Sequence, residues 1–236
     1  MNSLTQSKNT TILPVLIALT LGCFGVSPTA RAVSPPPDGG YSNFNTAEGE
    51  DALFSLTTGA SNTAVGFHAL FSNIRADNNT AVGSSALQLN TGGRANTAIG
   101  ANAMPNNTGG EANIAVGVYA LRDNSTGTRN TAIGTESLKK NNGFDNTGLG
   151  YEAGMKITNG SFNICIGNPG VSGDNNTIRS GTTGVQTATF IAGISGVTVP
   201  NGVGVIVDSN GKLGTIVSSA RYKEGIKPMD KASEAI

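Results

Sequence analysis

The polar and apolar positions of this chain fall into a five-residue pattern that recurs along its middle. Asn45-Thr46-Ala47-Glu48-Gly49 is followed by Asn62-Thr63-Ala64-Val65-Gly66, Asn79-Thr80-Ala81-Val82-Gly83 and Asn96-Thr97-Ala98-Ile99-Gly100. The series continues with Asn113-Ile114-Ala115-Val116-Gly117, Asn130-Thr131-Ala132-Ile133-Gly134, Asn146-Thr147-Gly148-Leu149-Gly150 and Asn163-Ile164-Cys165-Ile166-Gly167. The spacing is seventeen residues at every step except from Asn130 to Asn146, where it is sixteen. A fixed period of this length marks a solenoid, whose repeats bury their apolar groups by stacking on one another. Within each pentapeptide the second and fourth positions are bulky and mostly β-branched, and the third is small. That alternation predicts a short strand with one bulky and one small face. Ile114 and Ile164 in place of Thr point to the bulky face turned inward, with Val65, Phe67 and Leu70 as the sizeable apolar groups of their coil.

Seven and eight residues after each Asn stand Ala52-Leu53, Ala69-Leu70, Ala86-Leu87, Ala103-Met104, Ala120-Leu121 and Ser137-Leu138. An Ala-Leu pair favours a helical turn, and the Asn at the eleventh place (Asn73, Asn90, Asn107, Asn124, Asn141) suits its end in a left-handed conformation. Thr-Gly or Gly-Gly then turns the chain into the next strand. The expected fold class is all-β: a parallel β-solenoid or β-roll with short helical turns or a second extended segment in each coil, and little helix. Coils about 4.8 Å apart would stack into a rod of roughly 40 Å, with the repeated Asn side chains bonded into ladders.

The flanking segments differ in pattern. Residues 1–32 combine Lys8, an apolar stretch from Ile12 to Val26 and Ala30-Arg31-Ala32, the form of a secretory signal peptide cut after Ala32. Leu21-Gly22 before Cys23 leaves lipidation at Cys23 as an alternative. Residues 33–44, with three successive prolines, read as a spacer, and 45–176 as the repeat solenoid. Residues 177–217 are rich in Val, Ile and Gly and read as a small β region capping the rod, with Asn210-Gly211 as a two-residue hairpin turn. The charged segment 218–236 closes the chain.

Composition narrows the function classes. Fifteen basic residues balance fifteen acidic ones, so the basic excess of a nucleic-acid binder is missing. After signal cleavage Cys165 is the one cysteine left, so no intrachain disulfide forms, and no membrane span is expected. Acidic residues recur at no fixed repeat position, which argues against a polysaccharide-cleaving groove. One Cys and the lone His68 do not make a zinc site, so no metal, cofactor or enzymatic activity is expected. Each coil has few apolar groups to offset the ordering of its backbone, while its small face permits close approach by another chain. This points to side-by-side association, most simply as a homotrimer.

The Asn-Thr-Ala-Val/Ile-Gly repeats over about residues 45–171 resemble the head repeats of YadA-like trimeric autotransporter adhesins. That resemblance implies a left-handed parallel β-roll packed as a trimer. The stretch Ser218 to Ile236 resembles the start of the endosialidase-type intramolecular chaperone domain of phage tail fibres, here in truncated form. In that family the residue matching Ser218 attacks the preceding peptide bond with help from the residue matching Lys223. The match departs from the family at Ser219, where Asp is usual. The alternative for this stretch is an exposed charged tail. The expectation is therefore an exported, non-enzymatic, fibre-like rod or adhesin, secreted or held at the surface of a bacterial envelope, with a surface glycan or receptor as partner. The alternatives are a tail-fibre-like protein that cleaves itself at Ser218, or a glycan- or ice-binding solenoid using the ladder of Thr63, Thr80, Thr97 and Thr131.

Overall fold

The structure is a computed structural model that describes residues 41–191 and 204–215. The chain divides into two compact units between Thr187 and Ala188. The first is an all-β parallel solenoid. Nine three-residue strands form one sheet in strict sequence order: β1 (Thr46–Glu48), β2 (Thr63–Val65), β3 (Thr80–Val82), β4 (Thr97–Ile99), β5 (Ile114–Val116), β6 (Thr131–Ile133), β7 (Thr147–Leu149), β8 (Ile164–Ile166) and β9 (Ile178–Ser180). Neighbours pair in parallel and in register, so Thr63 lies beside Thr80 and Ala64 beside Ala81, one coil per strand. The ninth strand adds a rung beyond the eight pentapeptides, pairing Ile164 with Ile178 and Cys165 with Arg179.

The facing of the strands reverses the sequence expectation. The small middle residues Ala64, Ala81, Ala98, Ala115 and Ala132 are buried, while Val65 and Ile99 are exposed and Thr63 and Thr97 half-buried. Phe67, expected among the apolar groups of its coil's interior, is exposed as well. The interior of a coil consists of the strand Ala, the Ala-Leu pair and two asparagines, as in Asn62, Ala64, Ala69, Leu70 and Asn73. A space this narrow accepts a methyl group from the strand and little more. Gly148 shows the limit: a Cβ there would overlap the Ser137 hydroxyl and lie 3.0 Å from Leu138 Cγ.

The Ala-Leu segments are not helical. Gly66, His68 and Leu70 all have positive φ (129°, 56° and 51°), with residues of other conformation between them, whereas a helix needs an unbroken run of negative φ. The segment alternates its hydrogen bonds instead: Ala69 N–H donates to the Gly66 carbonyl within the coil, and Leu70 N–H to the Ala86 carbonyl of the next. A left-handed non-glycine residue costs about 1–2 kcal/mol. Bonding across coils and burial of the Leu side chain offset that cost. The left-handed conformation expected at Asn73 and its equivalents falls at Leu70 and its equivalents, because the Asn side chain is turned into the core.

Two buried asparagine ladders run through the stack. In the first, Asn96 Nδ2 donates to Asn79 Oδ1 (3.2 Å) and to the Gly110 carbonyl (2.8 Å), and Asn79 Oδ1 also accepts from the Asn96 backbone N–H. Each amide thereby satisfies the buried polar groups of its own coil and of a neighbour. The second ladder joins Asn73, Asn90, Asn107 and Asn124 through Nδ2-to-Oδ1 bonds of 2.8–3.2 Å. A glycine ends the first six pentapeptides at φ 123–135°, and a Cβ on Gly66 would sit 2.7 Å from the Gly83 carbonyl carbon.

The sixteen-residue coil is accommodated locally. Four residues separate Asn141 from Asn146, where five separate Asn124 from Asn130. In the preceding coil, the N–H groups of Thr108, Gly109 and Gly110 all donate to the backbone carbonyl of Ser125. One coil on, the N–H groups of Ser125, Thr126 and Gly127 donate to Asn142 Oδ1 at 3.0–3.2 Å, so a side-chain carbonyl replaces a backbone one. The second ladder breaks at the same place, and Asn124 Oδ1 is buried without a hydrogen bond.

Both ends of the described solenoid are closed. Ser42–Phe44, placed in the spacer by the sequence, form a 3-10 turn whose Ser42 carbonyl accepts from Asn45 Nδ2 (2.7 Å). At the other end, Arg179 occupies the inward strand position held by Ala in β1 to β6 and pairs with Asp174 at 2.6 and 2.7 Å. These bonds hold the Asp174 carboxyl below the usual carboxylate range. The second unit contains an antiparallel hairpin of β10 (Val205–Val207) and β11 (Leu213–Thr215). Its turn is longer than the expected two residues: Asp208 N–H donates to the Lys212 carbonyl across Ser209-Asn210-Gly211, with Gly211 at φ 81°.

Candidate functional site

The outward face of the nine-strand sheet is a continuous surface that repeats at every strand. Two side chains of every strand point out, about 7 Å apart, and parallel strands repeat them about every 4.8 Å. One column runs Thr63, Thr80, Thr97, Ile114, Thr131, Thr147, Ile164 and Ile178. The other runs Glu48, Val65, Val82, Ile99, Val116, Ile133, Leu149, Ile166 and Ser180, aliphatic between its polar ends, with Ile99, Ile133, Leu149 and Ile166 all more than 40% exposed. The Thr ladder proposed as a ligand face is thus present, and it is bordered along its length by aliphatic groups. The sequence missed that border, because the fourth position of each repeat was assigned to the interior.

A second cluster lies on the first three coils, outside the strands. Phe54 and Phe71 stack in parallel at 5.1 Å with 3° between their planes. His68 stacks on Phe67 at 3.8 Å and tilts against Phe71 at 4.8 Å. His68 Nε2 lies 3.3 Å from Asp51 Oδ2, and Gln88 Nε2 lies 3.4 Å from His68 Nδ1. Asp51 and Gln88 thus flank the two ring nitrogens of His68 and hold the imidazole in place. The cluster was legible in principle: Phe54 and Phe71 are one period apart, and so are Asp51 and His68.

The remaining sequence candidates divide cleanly. Ser218, Lys223 and Cys23 lie outside the described residues. Cys165 stands in the inward Ala column beside Ile157 and Ala153, and burial pushes its thiol up. Such a thiol packs as a small apolar group rather than as a nucleophile. Among the described residues no three His, Cys, Asp or Glu side chains come together as a metal site, and no helix is long and apolar enough to cross a membrane. No protein family, curated protein or solved structure matches the chain.

Proposed function

We propose that this protein is an exported structural rod or adhesin that assembles side by side as a homotrimer through the outward face of its sheet. The observation that carries this reading is the aliphatic column of Val65, Ile99, Ile133, Leu149 and Ile166, exposed in line over most of the solenoid. A contiguous apolar stripe of that kind ordinarily marks an interaction surface. A second copy of the chain is the natural occupant, since a surface repeating at each strand is best matched by another with the same repeat. The meagre interior of each coil favours the same outcome, because association buries apolar area that the lone solenoid leaves in water. The likeness of the pentapeptides to YadA-like head repeats and the signal-like segment before Ala32 agree with an exported, surface-held protein.

Light scattering on the mature chain tests the reading. The expected mass is three times that of one chain, and Ile99→Lys with Ile133→Lys should reduce it to one. A wild-type monomer would overturn the proposal.

A further inference from the structure

The aromatic cluster on the first three coils is not explained by side-by-side assembly. The rod face repeats at every strand, but the Phe54/Phe71 column continues as Gln88, Pro105, Arg122, Lys139 and Met155. The patch is therefore local, a few coil spacings across, or roughly 10 Å. We propose that it is a saccharide-binding site that takes the apolar face of a neutral pyranose ring, which deepens the adhesin reading above and rests on it.

Three observations select that ligand chemistry. Phe54 is 67% and Phe67 47% exposed, so two phenyl groups offer area to solvent instead of the core. A pyranose presents a C–H face of about the size of a phenyl ring, and aromatic rings hold such apolar area with little loss of side-chain freedom. Polar groups flank the His68 ring of the same cluster and can take sugar hydroxyls. Asp51 meets His68 through Oδ2 and Gln88 meets it through Nε2, leaving Asp51 Oδ1 and Gln88 Oε1 to accept from hydroxyl groups. An apolar platform with a few placed polar groups is the usual make-up of a small-molecule site. The carboxylates of Glu50 and Asp51 on the first coil disfavour anionic sugars. His68, wedged between Phe67, Phe71, Asp51 and Gln88, acts here as a positioning residue.

The test is binding of the labelled mature protein to a printed array of neutral and sialylated oligosaccharides, with phosphocholine as a separate probe and light scattering run on every sample. Neutral oligosaccharides should bind, and Phe54→Ala and Asp51→Ala should each weaken that binding at least tenfold with unchanged mass and circular dichroism. Glu111→Ala, in an exposed loop outside both the aromatic cluster and the sheet face, should leave it unchanged. Absence of saccharide binding by a correctly assembled trimer would overturn the site alone, as would binding that survives both patch variants or binding of phosphocholine in place of sugars. A monomer that binds saccharides through Phe54 and Asp51 would overturn the rod assembly and uphold the site.

Discussion

From Asn79 to Asn113 each coil repeats the ladder bonds of the one before it, whereas from Asn130 to Asp174 the first Asn ladder continues but the other inward columns change residue. In the regular coils, backbone and Asn side chains follow one template: Asn96 bonds Asn79 as Asn113 bonds Asn96, within about 0.1 Å. In the irregular coils the space is held constant and the residues are exchanged. Ser137 replaces the inward Ala and donates to the carbonyls of Gly148 (3.0 Å) and Ala153 (3.2 Å), while Gly148 gives up the methyl group that would overlap it. Gly154 stands where Leu is expected and Ile157 where the second-ladder Asn is expected, and both Ile157 and Leu138 remain fully buried. The difference teaches that the solenoid conserves filled volume and satisfied polar groups more strictly than it conserves residue types.

The largest effect should come from the first ladder. Asn113→Ala removes the donor to the Gly127 carbonyl and the acceptor for Asn130, leaving two or three buried groups unpaired at roughly 1–3 kcal/mol each, or about 4 kcal/mol in all. Asn141→Ala, whose side-chain bonds are 3.4 Å long at the broken second ladder, should cost only about 1 kcal/mol. Urea unfolding of both variants checks the contrast, and equal losses would dissolve the distinction between regular and irregular coils.

Next in size is the exchange between coils. Gly148→Ala alone should cost about 2 kcal/mol through overpacking against Ser137. In the double variant with Ser137→Ala, which restores the template of the regular coils, most of that loss should be recovered. A double-mutant cycle by thermal unfolding measures the coupling, expected above about 1 kcal/mol. Purely additive losses would mean that the two positions do not share space.

The smallest effect is at the shortened coil. Asn142 is solvent-accessible at its bonds to Ser125, Thr126 and Gly127, so water replaces part of what Asn142→Ala removes. The expected loss is about 1 kcal/mol, with amide exchange accelerated at those three N–H groups and not at Thr108. Uniform acceleration along the stack would contradict local accommodation.

Much of this architecture was legible from single residues. The period, the parallel in-register stacking and the first Asn ladder follow from Asn, Ala and Gly recurring at fixed places, because an amide in a tight strand has few other ways to bond. The second ladder was missed, since Asn73 and its equivalents read equally well as left-handed helix ends. Placement of Val65 and Phe67 failed for a different reason. Period-2 alternation puts residues 63 and 65 on one face but carries no information about which side that face takes.

The sequence by itself determined the repeat, the strand, the glycine that ends it and the ladder, all of which are properties of one coil copied along the chain. The tertiary structure decided which face is inside, what Ser137 requires of Gly148, how Asn142 stands in for a backbone carbonyl, and where Phe54, Phe67, His68 and Phe71 meet. These depend on the width of the closed coil and on contacts between residues seventeen or more positions apart, as Phe54 and Phe71 are. A linear pattern orders residues along the chain, whereas only the closed, stacked chain fixes which of them compete for the same space.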